Sequence, residues 1–213
     1  ILLKIFKKLI FLSFLSAISI SAYSQWFSIN IADSLKEVAL VFEIEFLGFT
    51  DSILLKTIKE DIESRLPFEV RLYESLFDIE SVFNEERNQF YSPDIIKHLL
   101  INNNGNPAFR MALVNVDLFN PVFKYVYGEA QLNGKLSVVS LFRLHEELYT
   151  GRADYNILFS RTLKEIYHEL GHNLGLVHCL NWDCVMHTST SVEEIDIKGG
   201  FYCDNCYQKA NIT

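Results

Sequence analysis

The chain has 213 residues, of which 49% are hydrophobic, and its formal net charge at pH 7 is −8. This length suits one compact domain, and the hydrophobic share is large enough for a sizeable core. Proteins that bind nucleic acid usually carry a clustered basic surface. With 27 acidic and 19 basic side chains, this chain is not expected to bind nucleic acid.

The N-terminal 24 residues have the pattern of a secretory signal peptide. Three lysines precede an apolar run over residues 9–20, and small residues suit cleavage before Gln25. The run is short for a membrane span, but an uncleaved membrane anchor is one alternative to a signal peptide. A mis-assigned start of the chain is another alternative, because residue 1 is isoleucine. We predict a leader or membrane anchor over residues 1–24 and a domain over residues 25–213. The protein is then secreted or periplasmic, and it contacts a membrane only through an uncleaved leader.

The elements predicted next are a strand, a helix and a strand. Residues 39–46 alternate in hydropathy, residues 52–66 carry apolar side chains at helical spacing, and residues 68–73 alternate again. Pro67 ends the helix. Two strands joined by a helix through short links predict a βαβ unit, so the fold class is predicted to be α/β.

A second helix is predicted over residues 92–100, with Ser92 as its N-cap and Pro93 at the first helical position. Further strands are predicted at residues 109–116, 123–127 and 136–141. A hairpin turn at Asn133 and Gly134 separates the last two of these strands. A long helix follows over residues 156–174, and the chain after Gly175 is predicted to be irregular, with weak helical character at residues 191–195.

The end of the long helix carries the motif YHELGHNLGLVHC, which places three histidines within eleven positions. His168 and His172 are four residues apart, so they share one helix face and can bind one ion. Gly175 can adopt a positive φ, end the helix and turn the chain back toward that ion, which brings His178 to it from another direction. Three protein ligands with water in the fourth position form a catalytic zinc site.

Glu169 lies beside the first of these histidines and is turned about 100° around the helix, so it need not bind the metal. It can accept a proton from the zinc-bound water and later donate it to a leaving amine. These parts suit the hydrolysis of an amide. Two alternatives are a helix end that is merely rich in histidine and a metal site without turnover.

All four cysteines lie between positions 179 and 206, which indicates one local site rather than a framework of disulfides. Their spacings suit a zinc ion held by four thiolates, with two disulfides as the alternative in an oxidising compartment. The segment after His178 is too short and polar for a core of its own, so a bound metal could supply its folding free energy. We predict two Zn²⁺ ions, the second of them structural. Its ligands are Cys179, Cys184, Cys203 and Cys206.

The stretch HELGHNLGLVHC, the pair formed by Cys184 and Met186, and the later CDNC together resemble the archaemetzincins (archaelysins). These are zinc metallopeptidases of the metzincin clan. The resemblance extends to DLFNPVFKYVYGEAQ and LSVVSLFRL, which look like the strands before the active-site helix, and it covers residues 36–207. It implies a metzincin-like single α/β domain, in which a twisted mixed β-sheet packs on an active-site helix and a second helix. A short irregular C-terminal subdomain would hold zinc.

The resemblance also implies roles for individual residues. The three histidines would bind catalytic zinc, Glu169 would be the general base, Met186 would form a turn beneath the metal, and the four cysteines would hold structural zinc. An edge strand near residues 125–130 or 138–141 would pair with an extended peptide. We therefore predict a monomeric zinc-dependent peptidase that acts on peptides or proteins. A catalytically inactive, zinc-stabilised peptide-binding module is the alternative function, and a cytoplasmic location is the alternative that the family suggests.

Overall fold

The computed structural model describes residues 40–48, 51–102 and 108–212. The strands are β1 (Leu40–Leu47), β2 (Phe68–Glu74), β3 (Phe83–Asn84), β4 (Gln89–Tyr91), β5 (Phe109–Val114), β6 (Leu118–Phe119), β7 (Gly128–Ala130) and β8 (Leu136–Ser140). The α-helices are α1 (Ser52–Arg65), α2 (Ser92–Ile101), α3 (Glu147–Thr150), α4 (Tyr155–Asn173), α5 (Val192–Ile197) and α6 (Asp204–Ala210). Short 3₁₀ turns cover Ile79–Val82 and Phe142–Leu144.

A five-stranded mixed sheet forms the centre of the domain, with the strand order β2-β1-β5-β8-β7. β1 pairs in parallel with β2 and with β5, and β8 pairs in parallel with β5. β7 pairs antiparallel with β8, so β7 is the edge strand on that side. Because α1 connects the parallel neighbours β1 and β2, the predicted βαβ unit is confirmed. A second, smaller sheet joins β3, β4 and β6.

Helices cover both faces of the large sheet. On one face α1 and α4 pack against the strands, and Ile58, Met111 and Ile166 belong to this buried cluster. On the other face α2 packs through Ile95 against Ala112 and the neighbouring strand residues. The alternation of Met111 and Ala112 between the two clusters is the period-two pattern expected for a strand buried on both sides.

Several predictions from the sequence differ from the structure. Ser92 is the first residue of α2 rather than its N-cap, and its hydroxyl donates to the carbonyl of Phe119 at 3.0 Å. The strand predicted at residues 123–127 is wrong, because pairing with β8 begins only at Gly128; Val126 forms an isolated bridge to β6. The segment after α4 is largely irregular as predicted, but it also contains α6, which was not predicted.

The predicted leader over residues 1–24 lies outside the described residues, as does the first residue of the strand predicted at 39–46. Within the described ranges, none of the helices has the length and apolar character needed to cross a membrane.

Candidate active site

The three histidines converge where α4 ends. Gly175 has a φ of +85°, as its predicted role requires. The peptide N–H groups of Gly175 and of the next residue donate to carbonyls of the last helical turn, both at 2.9 Å. This pair of hydrogen bonds is the Schellman motif, which closes a helix and redirects the chain. His178 thereby reaches the helix face of His168 and His172, and one ligating atom from each of the three lies within 4.8 Å of the others.

The spacing of these imidazoles fits a zinc ion. The Nε2 atoms of His168 and His172 are 3.2 Å apart. Two nitrogen ligands of a tetrahedral zinc, each 2.0–2.1 Å from the metal, stand about 3.4 Å apart. The Nδ1–H groups of the same rings donate to the carbonyls of Val185 at 2.9 Å and of Leu176 at 2.8 Å. Hydrogen bonds of this kind fix the tautomer that presents a free Nε2 lone pair to a metal.

The environment also favours the neutral form of each ring. Burial lowers the pKa of His168 well below its usual value, and the positive charge of Lys198 acts in the same direction. Burial also lowers the pKa of His172 and of His178. Since a metal binds neutral imidazole, the site holds its histidines in the ligating form at neutral pH.

Glu169 is buried next to the histidines, with 5% of its surface exposed. Burial raises the pKa of Glu169 well above its usual value, and the carboxylate of Glu165 adds to this shift. The backbone of Gly128 in β7 packs directly against the side chain. A Cβ atom on Gly128 would lie 2.6 Å from both Cγ and Oε1 of Glu169. The edge strand therefore accommodates Glu169 only because position 128 has no side chain.

Met186 lies in the turn that follows His178. It is fully buried, in the same cluster as Ile166 and Leu170 of α4. Its carbonyl oxygen accepts the peptide N–H of Cys179 at 2.9 Å. This hydrogen bond connects the methionine turn with the residue directly after His178.

The four cysteines form a second cluster, in which one sulfur atom from each residue lies within 4.8 Å of the others. All four lie in the described part of the chain, and all are free thiols there. Cys184 and Cys206 are buried, and the other two are half-buried. In a tetrahedral site with zinc–sulfur distances of 2.3 Å the sulfur atoms stand about 3.8 Å apart, so the cluster fits one ion.

A cavity of about 390 Å³ opens beside the histidines and runs along the edge strand. Its walls come from β7, from the buried face of α4 and from the loop at residues 188–190. Glu165 and Lys198 line it together with His168 and Glu169. Glu165 and Lys198 lie outside the motifs that predict the site. Helical periodicity could have found Glu165, which is one turn before Glu169 on the same face, but no local signal indicates Lys198.

A comparison with protein families agrees with this geometry. The model of peptidase family M54 matches residues 69–211, which is more than half of the chain. The chain belongs to peptidase family M54. The match includes the histidine motif, the methionine turn and all four cysteines.

Proteins described as archaemetzincins are similar to this chain over 60–76% of its length. The archaemetzincin of Pyrococcus horikoshii is 43% identical over 128 residues, which are 60% of this chain and 68% of that protein. The archaemetzincin of Thermococcus kodakarensis is 36% identical over 171 residues, which are 76% of this chain and 91% of that protein. This M54 protein is accordingly a zinc metallopeptidase.

Solved structures share the fold. The crystal structure of the archaemetzincin from Methanopyrus kandleri superposes with a TM-score of 0.72 and 25% identity, covering 83% of this chain and 96% of that one. The zinc-dependent peptidase from Methanocorpusculum labreanum superposes with a TM-score of 0.73 and 25% identity, covering 80% of this chain and all of that one. The predicted metzincin-like α/β fold of this M54 peptidase is therefore confirmed.

Proposed function

We propose that the protein hydrolyses peptide bonds at a zinc ion held by His168, His172 and His178, with Glu169 as the general base. The convergence of three neutral imidazoles beside a buried carboxylate, on the wall of an open cavity, carries this proposal. A zinc ion held by these three histidines would supply a Lewis acid, which would make water more acidic and polarise the carbonyl of a substrate.

Glu169 performs the proton transfers. The charge of a bound zinc ion would favour the ionised form of Glu169 against the effect of burial. In that form the carboxylate accepts a proton from the attacking water and then delivers it to the amide nitrogen as the peptide bond breaks. Glu169 is one position after His168, so its side chain is rotated by about 100° from that of His168 around the helix axis. The carboxylate therefore need not bind the metal and is free to transfer protons. Burial keeps bulk water from competing for the proton.

The substrate binds in an extended conformation along β7. This strand has β8 as its neighbour within the sheet and is the edge on the side of the cavity. An extended peptide adds to such an edge through main-chain hydrogen bonds. Of the two edge candidates in the sequence, residues 125–130 overlap β7, whereas residues 138–141 overlap β8, which lies inside the sheet.

A second zinc ion is held by Cys179, Cys184, Cys203 and Cys206. Elemental analysis of the native protein by mass spectrometry tests this part of the proposal. Two zinc ions per chain are expected, and one zinc with two disulfides would contradict it. The leader and the compartment that it implies remain predictions, because residues 1–24 lie outside the described residues. The monomeric state is also a prediction.

Replacement of the general base tests the hydrolytic mechanism. The purified protein is incubated with a mixed peptide library, and new peptide ends are identified by mass spectrometry. Glu169→Gln keeps the size of the side chain and removes its basicity, so we expect cleavage to fall by about 100-fold or more while the zinc content stays unchanged.

Two outcomes would decide against this mechanism. Full activity of Glu169→Gln would exclude Glu169 as the base. A wild-type protein with full zinc occupancy that retains peptides without cutting them would instead be the inactive peptide-binding module.

A further inference from the structure

A buried ion pair lies in the wall of the cavity, next to the proposed base. Lys198 Nζ donates to Glu165 Oε1 at 2.8 Å, and the two side chains are 1% and 5% exposed. Glu165 precedes Glu169 by one helical turn, and Lys198 follows the last residue of α5. Both residues line the same cavity as His168 and Glu169.

The stability of the fold does not account for this pair. Taking two charges out of water costs about as much as their attraction returns, and well-packed apolar residues are often at least as stable. Lys164 provides a comparison on the same helix. Its ammonium group donates to the carbonyls of Ile195 at 2.8 Å and of Asp196 at 2.7 Å, and it does not line the cavity. Lys164 thus has a purely structural set of partners.

Lys198 has spare hydrogen-bonding capacity by contrast. An ammonium group has three N–H donors. Among the described residues, the Lys198 ammonium donates one hydrogen bond, to Glu165. Its other N–H groups can therefore point into the cavity, which Lys198 lines. Glu165 likewise has a second carboxylate oxygen. The pair can therefore offer a donor and an acceptor side by side.

We propose that Glu165 and Lys198 form the floor of a subsite for an uncharged hydrogen-bonding side chain, glutamine or asparagine, of a substrate residue next to the scissile bond. This inference rests on the proposed peptidase function. The amide N–H₂ of the substrate side chain donates to Glu165, and its carbonyl accepts from Lys198. The two contacts complement each other, and no net charge is added to the cavity.

Charged side chains are disfavoured at this position. An acidic side chain would face the carboxylates of Glu165 and Glu169, two residues of α4 that line the cavity. A basic side chain could reach Glu165 only beside the ammonium of Lys198, which already neutralises that carboxylate at 2.8 Å. Like charges at short range in a poorly hydrated site repel strongly. An apolar side chain would leave the hydrogen-bonding groups of the pair without partners.

Cleavage profiling tests the subsite. The zinc-loaded protein digests a peptide library derived from a proteome, and mass spectrometry gives residue frequencies at each position around the cut. Glutamine and asparagine should be enriched by about tenfold at one flanking position. Because frequencies compare substrates for a single enzyme, changes in overall rate cancel. A flat or apolar profile at both flanking positions would overturn the proposal.

Single substitutions should shift the preference in opposite directions. Glu165→Gln leaves an ammonium without a counter-ion, so acidic side chains should replace the amides. Lys198→Met leaves a carboxylate without a counter-ion, so basic side chains should be selected. The double variant Glu165→Leu with Lys198→Met avoids an unpaired buried charge, and it should select apolar side chains. The control Lys164→Met, which removes a buried lysine outside the cavity, should keep the wild-type profile.

A binding assay separates the subsite from catalysis. The library is passed over immobilised Glu169→Gln protein, alone and combined with each substitution of the pair, and retained peptides are sequenced. Without any cleavage, the retained peptides should be enriched in amide side chains for the unaltered pair, in acidic side chains for Glu165→Gln and in basic side chains for Lys198→Met. If the wild-type protein cuts nothing but this enrichment appears, the hydrolytic function fails and the subsite stands. If cleavage occurs and all variants share one profile in both assays, the subsite fails and the hydrolytic function stands.

Discussion

At the scale of single residues, the proposed base depends on a glycine in another element. Gly128 lies in the edge strand, and a Cβ atom there would approach Glu169 Oε1 to 2.6 Å. Since Glu169 is buried in the helix that carries the histidines, it has little room to move. The closeness of strand and helix at this point places the edge of the sheet, where we propose that the substrate binds, next to the carboxylate.

Gly128→Ala should therefore reduce activity without removing the metal. The added methyl group displaces either the carboxylate or the strand by a fraction of an ångström to an ångström, and misplacement on this scale costs about 100-fold in kcat/KM. The measurement is kcat/KM on a fluorogenic peptide together with zinc content. Gly200→Ala is the matched control, because a Cβ there meets no atom within 4 Å. Equal activity of the two variants would contradict this account of Gly128.

At the scale of elements, the turn after α4 decides whether the third histidine meets the other two. Gly175→Ala forces a residue with a Cβ atom to adopt a φ of +85°. We expect a loss of about 1–2 kcal/mol in the free energy of unfolding, measured by chemical denaturation. Asparagine tolerates this conformation better, so Gly175→Asn should lose less. Equal losses in the free energy of unfolding for Gly175→Ala and Gly175→Asn would show that the positive φ at this position does not cause the destabilisation.

The elements differ in how well the sequence predicts them, for physical reasons. β1, α1, β2 and α4 have long periodic patterns, and each begins and ends within one or two residues of its predicted bounds. Residues 123–127 also alternate, but here the aromatic rings pack locally. Tyr125 lies under the guanidinium of Arg143 at 3.9 Å and against the ring of Tyr127 at 5.6 Å. A strand pattern can thus arise from packing without sheet pairing.

The candidate site also contains residues whose positions the sequence predicts and contacts that it does not predict. Spacing within one helix predicts the faces of His168 and His172, and the glycine predicts the turn to His178. The contacts of Gly128 with Glu169 and of Lys198 with Glu165 join residues that are far apart in the chain. Hydrophobic periodicity describes residues that are close together in the sequence. It therefore cannot predict contacts between residues that are far apart in the chain.

At the scale of the whole molecule, the cysteine-containing segment is part of the main core. Cys184, Met186 and Tyr202 belong to the same buried cluster as Ile44 of β1 and Ile166 of α4. The proposed structural zinc would therefore not create a separate core for this segment. It would hold the apolar residues of the segment on the core that the sheet and α4 form. Loss of the metal should therefore affect the whole described domain, including the turn that carries His178.

Cys206→Ser tests this coupling. Loss of one thiolate should reduce the zinc content from two ions to one and lower the free energy of unfolding by about 3 kcal/mol or more, because zinc binding and folding of the segment are linked. Unfolding should remain one cooperative transition, since the segment and the sheet share a core. The control is Asn205→Ser, at an exposed position of the same helix. A separate early transition in Cys206→Ser, with the remainder unfolding as in the wild-type protein, would mean that the segment folds independently of the sheet.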